Sequence, residues 1–381
     1  MDILISGAGI AGSTLAYWLA RNGMRPTVVE RASGQRSSGN PVDVRDEAVP
    51  VAERMGLMPR LREASTGVTG LRFVNARGRR VGGVNMRAMQ RASGKTEVEV
   101  PRADLARILL EANADDSEFV YGDSIATLAQ DGGGVDVTFE KGAQRRFDLV
   151  IGADGLHSVT RKLAFGPETD FIHHLGLYVA TLPIPGELGL GKEVVMYNTP
   201  GRLASLHPSR GRALAAFIFR RRAEPGFDHR DVELHKRMVT SAYAGDGWRV
   251  PELLDHVRAA DDLYFDSVSQ VRLAQWHRGR VGLLGDAASS VSLFGDGSSM
   301  AMAGAMTLAE ELAAGLDGAF ARYEARHRVL VDPKHAGVAQ ASTMVVPATR
   351  GGVAVRNLVS NAWPAVAAAS WLRGRLTPSV V

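Results

Sequence analysis

The chain has 381 residues, 45% of them hydrophobic and 23% charged, with a formal net charge of +4. These are the proportions of an ordinary globular protein with room for two domains, and no run approaches the ~18 apolar residues of a membrane span. The absence of cysteine excludes disulfides, thiolate catalysis, iron–sulfur clusters, cysteine zinc sites and any group tethered through a cysteine sulfur.

The first elements read as one nucleotide-binding unit. Met1 to Ser6 forms a short buried strand, which runs into Gly7-Ala8-Gly9-Ile10-Ala11-Gly12 and then a helix over Ser13 to Asn22. A second strand, Thr27-Val28-Val29, ends on Glu30-Arg31. Gly7 serves the tight turn, Gly9 the approach of a pyrophosphate to the backbone, and Gly12 the close packing of helix on strand. The helix start offers free N–H groups and a positive dipole end to the phosphates. Glu30 stands where a carboxylate accepts from a ribose 2′-hydroxyl, with Arg31 beside it as a second candidate contact. A carboxylate there repels a 2′-phosphate, so the unit prefers NAD or the ADP half of FAD over NADP, without separating those two.

Further along, Pro101-Arg102-Ala103-Asp104-Leu105 opens a helix to about Ala112, and Val135 to Phe139 alternates as a strand. Asp148-Leu149-Val150-Ile151 is a buried strand ending in Gly152-Ala153-Asp154-Gly155. From about Phe165 to Phe265 the texture turns to long alternating β segments, and Arg280 to Leu284 returns to the buried-strand style. Helices are expected over Gly297 to Leu316 and from Gly318 to about Leu330, followed by a helical tail. The expected fold is α/β: a Rossmann-like domain over 1–72, 97–165 and 275–345, interrupted by a mostly antiparallel substrate domain over 73–96 and 166–274. Residues 346–381 form a C-terminal helical segment. The Arg79-Arg80 and Arg220-Arg221-Arg222 clusters read as solvated strand ends, not as a nucleic-acid surface. His173-His174 lacks partners at metal-ligand spacing, so no metal is expected.

Three separated motifs carry a resemblance. The opening glycine unit, Asp148 to Arg161 with its Gly-Ala-Asp-Gly turn, and Gly282-Leu283-Leu284-Gly285-Asp286-Ala287-Ala288 followed by Gly295-Asp296-Gly297-Ser298-Ser299 resemble the signatures of the single-component FAD-dependent aromatic hydroxylases, the family of p-hydroxybenzoate hydroxylase. Arg102 to Leu109 is similar to that family's arginine-leucine helix. Gly39 to Arg45, leading to Glu53-Arg54-Met55-Gly56-Leu57, resembles the branch of the tetracycline-degrading monooxygenases. The resemblance implies non-covalent FAD, NAD(P)H as transient co-substrate, and O2. One oxygen atom would enter an aromatic or polycyclic small molecule through a flavin hydroperoxide. It assigns Asp286 to a ribityl or ribose hydroxyl, and Gly295, Gly297 and Ser298 to a helix start facing the flavin. It assigns Arg45 and Arg102 to phosphates, ribityl chain or ring edge, and Asp154 to flavin binding and NAD(P)H docking. Ser158 and Arg161 would hold the turn around Asp154.

Alternatives stay open at several positions. Arg45 is a cofactor contact or a surface loop residue, Arg102 a cofactor contact or a helix cap, and Asp43 a turn former or a ligand. Phe217, Phe219, Tyr264 and Phe265 are candidates for an apolar substrate pocket. The third motif departs from the family: Ser289 replaces His or Tyr, Leu293 replaces a proline, and Asp296 replaces glutamine. A carboxylate at Asp296 would add negative charge beside a ring that becomes anionic on reduction. No catalytic side chain is identified. A non-oxygenating flavin oxidoreductase, or a flavin-binding protein without turnover, is the alternative. The expected location is cytoplasmic, without nucleic-acid partners or stable membrane insertion.

Overall fold

The computed structural model describes residues 1–34, 41–94, 96–113, 116–209, 212–290 and 296–361. The described chain forms two compact units: Met1–Ser65, Val100–Leu175 and Ser269–Val338 make the first, while Thr66–Glu99, Gly176–Val268 and the described residues from Ala339 to 361 make the second. The first break falls at Ser65 rather than at residue 72 because strand Gly70–Val74 pairs with Glu193–Thr199 and Arg80–Asn85 inside the second unit.

In the first unit a six-stranded sheet has the order His277–Arg278, Val281–Leu283, Leu149–Gly152, Asp2–Ser6, Arg25–Glu30, Glu118–Tyr121. All neighbours are parallel except the short first pair. Parallel strands covered on both faces carry continuous apolar runs, and Ile3, Leu4 and Ile5 are fully buried. A small antiparallel sheet of Gln144–Phe147, Val135–Phe139 and Ile125–Gln130 belongs to the same unit. The helix expected from Gly297 runs over Asp296–Ala314. The next was expected to stop near Leu330 but continues over Ala319–Val345, through Pro333. That proline removes the N–H that the Val329 carbonyl would accept. Val329 is 72% exposed, so water can take the place of the missing donor.

The second unit is built on a seven-stranded sheet ordered Tyr264–Val271, Ile172–Pro185, Arg212–Arg220, Arg202–Ser209, Glu193–Thr199, Gly70–Val74, Arg80–Asn85. Gly70–Val74 runs parallel to Glu193–Thr199, and the pairs from Ile172–Pro185 to Glu193–Thr199 are antiparallel. Two helices, Val232–Ala242 and Val250–Ala259, also lie in this block, where the sequence showed only β texture. Asp231 caps the former by accepting from the Leu234 N–H, and Pro251 opens the latter. The aromatic residues expected to line a pocket are mostly core. Phe217, Phe219 and Phe265 are buried among Tyr178 and Tyr243, and only Tyr264 is partly exposed. Their inward spacing is that of a buried sheet face, which packs them under the two helices. The Tyr243 hydroxyl donates to the carbonyls of Leu203 (2.6 Å) and Ile218 (2.9 Å), joining two strands from below.

The described part of the C-terminal segment is helical over 350–361. Among the described residues, no helix is long and apolar enough to cross a membrane.

Candidate cofactor site

The three motifs meet at the carboxyl ends of the parallel strands in the first unit, where open α/β sheets bind ligands. Gly7 has φ +104°, and a Cβ added there would lie 2.6 Å from the Ala153 carbonyl oxygen. A Cβ on Gly12 would lie 1.9 Å from the Gly7 carbonyl oxygen. Both glycines are therefore required by backbone approaching backbone. The third motif closes on the first, since a Cβ on Gly285 (φ +63°) would lie 3.0 Å from the Ala11 methyl. The Leu284 N–H donates to the Gly152 carbonyl at 2.9 Å, joining the second motif to the third.

Gly9 differs from these neighbours. It caps helix Ile10–Arg21 without a side-chain hydrogen bond, and an added Cβ would meet no protein atom within 4 Å. The first N–H groups of that helix have no intrahelical acceptor. An open glycine between two crowded ones, in front of unsatisfied donors, is a cradle for a pyrophosphate. The residues present fit the ADP half of FAD.

Glu30 ends its strand beside this loop. One carboxylate oxygen accepts from the Ala8 N–H at 3.0 Å, and the other from the Ala32 N–H at 2.8 Å. The acid thus shapes the glycine turn. Arg31 is exposed just beyond it. Asp154 faces inward: one carboxylate oxygen accepts from the Ser6 hydroxyl (3.2 Å), the Thr160 hydroxyl (2.9 Å) and the Thr160 N–H (2.9 Å), and the other from Ser158. Its observed partners tie the first strand to the second motif. Ser158 caps helix Val159–Phe165 by accepting from the Arg161 N–H at 2.9 Å. The Arg161 guanidinium is buried and donates to the carbonyls of Leu156 (2.6 Å) and Ala287 (3.0 Å), linking the second motif to the third. Burial holds its pKa below the usual arginine range.

At the third motif, Asp286 heads the short helix Asp286–Ser289, and a Cβ on Gly297 would lie 3.7 Å from its carboxylate. The Ser298 and Ser299 hydroxyls both donate to the Asp43 carbonyl at 2.9 Å, and the Arg45 N–H donates to Ser299 at 3.2 Å. Asp43 and Arg45 therefore sit on strand Pro41–Arg45, stitched to the start of helix Asp296–Ala314, rather than on a free loop or turn. The Arg45 guanidinium donates to Asp296 at 2.9 Å and lies 3.5 Å from the Asp43 carboxylate. Sequence reasoning misses Lys334, because it ends the helix that carries this residue near Leu330. The Lys334 Nζ donates to the same Asp296 oxygen at 2.8 Å. Asp296 is thus no bare negative charge: Arg45 and Lys334 both pair with it. Arg102 is exposed at the first position of helix Arg102–Glu111, whose start has no side-chain cap. Gly295, with Leu293 and Gly39-Asn40, lies outside the described residues.

Residues 1–327 match the FAD binding domain family. The chain belongs to that family. It is 36% identical over 326 residues to a flavin-dependent monooxygenase from an unknown prokaryotic organism, covering 84% of each chain. It is 40% identical over 348 residues to an uncharacterized protein of Mycobacterium tuberculosis, covering 87% of this chain and 90% of that one. Among solved structures, the tetracycline destructase Tet(55) superposes with a TM-score of 0.82 at 33% identity, covering 94% of both chains. This flavoprotein is an FAD-dependent monooxygenase, with NAD(P)H as electron donor.

Proposed function

We propose that the monooxygenase inserts one oxygen atom into a tetracycline-like or other polycyclic aromatic molecule. The flavin, when bound, supplies the two-electron and O2 chemistry. Gly7, Gly9 and Gly12 would admit its pyrophosphate to the start of helix Ile10–Arg21, with Glu30 and Arg31 at the adenosine ribose. Asp286, Gly297 and Ser298 would stand at the ribityl and ring end, and Arg45 and Arg102 would bring cationic donors to the phosphates or ring edge. Asp154 would act by fixing the turn beneath the cofactor. The first unit is thereby read as the FAD domain and the second as the substrate domain. The open Gly9 between the closed Gly7 and Gly12 is the observation that carries the cofactor assignment. The likeness to Tet(55) over 94% of the chain supports the polycyclic class. A need for NAD(P)H, an intracellular reductant, favours a cytoplasmic location.

The test is a panel of tetracyclines and polycyclic phenols added to FAD-loaded protein with NADH or NADPH. The reading expects at least one compound to accelerate nicotinamide oxidation and to yield a product heavier by one oxygen atom. Accelerated oxidation with no oxygenated product from any compound would favour the non-oxygenating oxidoreductase instead.

A further inference from the structure

Between Glu63 and Glu97 the sequence has six arginines and no aspartate or glutamate. In the second unit three of them, Arg80, Arg87 and Arg91, line one cleft of about 450 Å³ together with Asn85, Ala88 and Glu193. Glu193 is already paired with Arg72 at 3.1 Å. Among the described residues, none of Arg80, Arg87 and Arg91 has an acidic partner.

The local structure brings these cations together. Arg80 starts strand Arg80–Asn85, and a Cβ on Gly83 would lie 2.7 Å from its guanidinium, so the glycine lets that group lie across the strand. Asn85 caps helix Met86–Ser93 by accepting from the Ala88 N–H at 2.9 Å, directing the positive helix end at the cleft. Arg87 and Arg91 are one turn apart on that helix and share an edge. Three like charges around one concavity repel each other unless an anion joins them. Guanidinium groups bind phosphate oxygens bidentately, and the volume is in the range of small-molecule sites. Among the described residues, no aromatic lines the cleft for base stacking, which argues against single-stranded nucleic acid.

We propose that this cleft binds the phosphates of a small phosphorylated ligand. In the monooxygenase reaction that ligand is the nicotinamide dinucleotide, whose pyrophosphate and, in NADPH, 2′-phosphate supply the anions. The second half of the proposal rests on the assignment of NAD(P)H as reductant.

The experiment titrates FAD-loaded protein with inorganic pyrophosphate by calorimetry, with the flavin site already filled. One saturable site is expected in the wild type. Arg80→Gln/Arg87→Gln/Arg91→Gln should weaken it by roughly a hundredfold, at about tenfold or more for each of at least two charged hydrogen bonds. Flavin content should be unchanged. NADP⁺ should compete with pyrophosphate, and in anaerobic flavin reduction the variant should need more NADPH at the same limiting rate. Should the triple variant fail to fold, Arg91→Glu is read in its place. Lost pyrophosphate binding without competition by NADP⁺ would keep the phosphate site and overturn its assignment to the dinucleotide. Absence of pyrophosphate binding in the wild type, equal binding in the variant, or preference for phosphatidylglycerol vesicles would overturn the site itself. A protein that retains no flavin would instead count against the monooxygenase reading, and the difference in pyrophosphate binding between wild type and the arginine variant would still report on this cleft.

Discussion

Replacing Gly9 and Gly12 separately by alanine should divide cofactor binding from folding. Gly9 has φ −73° and ψ −171°, an extended backbone open to any residue, and its added Cβ meets no protein atom within 4 Å. In the apo-protein Gly9→Ala should therefore stabilise slightly, by about 0.4–1 kcal/mol, because the unfolded chain loses freedom. In the same variant the methyl would stand where the pyrophosphate runs. A penalty of about 1–3 kcal/mol, the usual cost of overpacking, weakens FAD by roughly 5- to 150-fold. Gly12→Ala should do the reverse of the first effect. Its Cβ would fall 1.9 Å from the Gly7 oxygen and 3.2 Å from an Ile5 methyl, so helix and strand must separate by more than an ångström. That variant should lose stability even without flavin. Thermal unfolding of deflavinated protein and quenching of FAD fluorescence read the two effects independently. Wild-type FAD affinity in Gly9→Ala, or an undisturbed apo-protein in Gly12→Ala, would refute the packing account of this loop.

Glu30→Ala should weaken FAD by about 1–3 kcal/mol, the scale of a lost charged hydrogen bond; an unchanged dissociation constant would move the acid off the ribose. His327 is buried against Tyr323 and Trp276, and burial pushes its pKa down to about 4. The unfolded chain then binds a proton below pH 6.5 that the folded one refuses, so up to about 3 kcal/mol is lost as pH falls from 6.5 to 4. His327→Asn should flatten that limb of a melting-temperature profile at the expense of some packing, and an unaltered slope would assign it to another group. Asp296→Asn removes the carboxylate that Arg45 and Lys334 share and should raise the flavin reduction potential, whereas Lys334→Met should lower it. Potentials that do not move in opposite directions would place the cluster away from the ring.

The features legible in the sequence were those governed by local rules. Gly7, Gly12 and Glu30 occupy a turn, a helix start and a strand end within thirty residues, and each position has one physical reason for its residue type. Phe217, Phe219 and Phe265 show where such rules stop: alternation says that a side chain faces inward, but not whether it meets a pocket or another core layer. Asp154 is similar, because an aspartate in a glycine turn can face a ligand or its own turn, and here Ser6, Ser158 and Thr160 are the partners observed. Lys334 was illegible for a different reason. A proline at 333 argues for ending the helix, and only tertiary packing carries it onward to Val345.

That one residue changes the meaning of the third motif. Read alone, an aspartate in place of glutamine sets a negative charge at a helix start whose dipole would otherwise favour an anionic reduced ring. With Arg45 and Lys334 both on its Oδ1, the charge is compensated locally, and the carboxylate is spent on holding strand Pro41–Arg45 and helix Ala319–Val345 to the helix start. The positive end of helix Asp296–Ala314 therefore keeps its preference for negative charge. Had Asp296 been unpaired, the substitution would argue against a reduced flavin poised for oxygen. Paired as it is, it is compatible with the monooxygenase chemistry of the relatives, and the opposite shifts expected from Asp296→Asn and Lys334→Met are the direct measure of that balance.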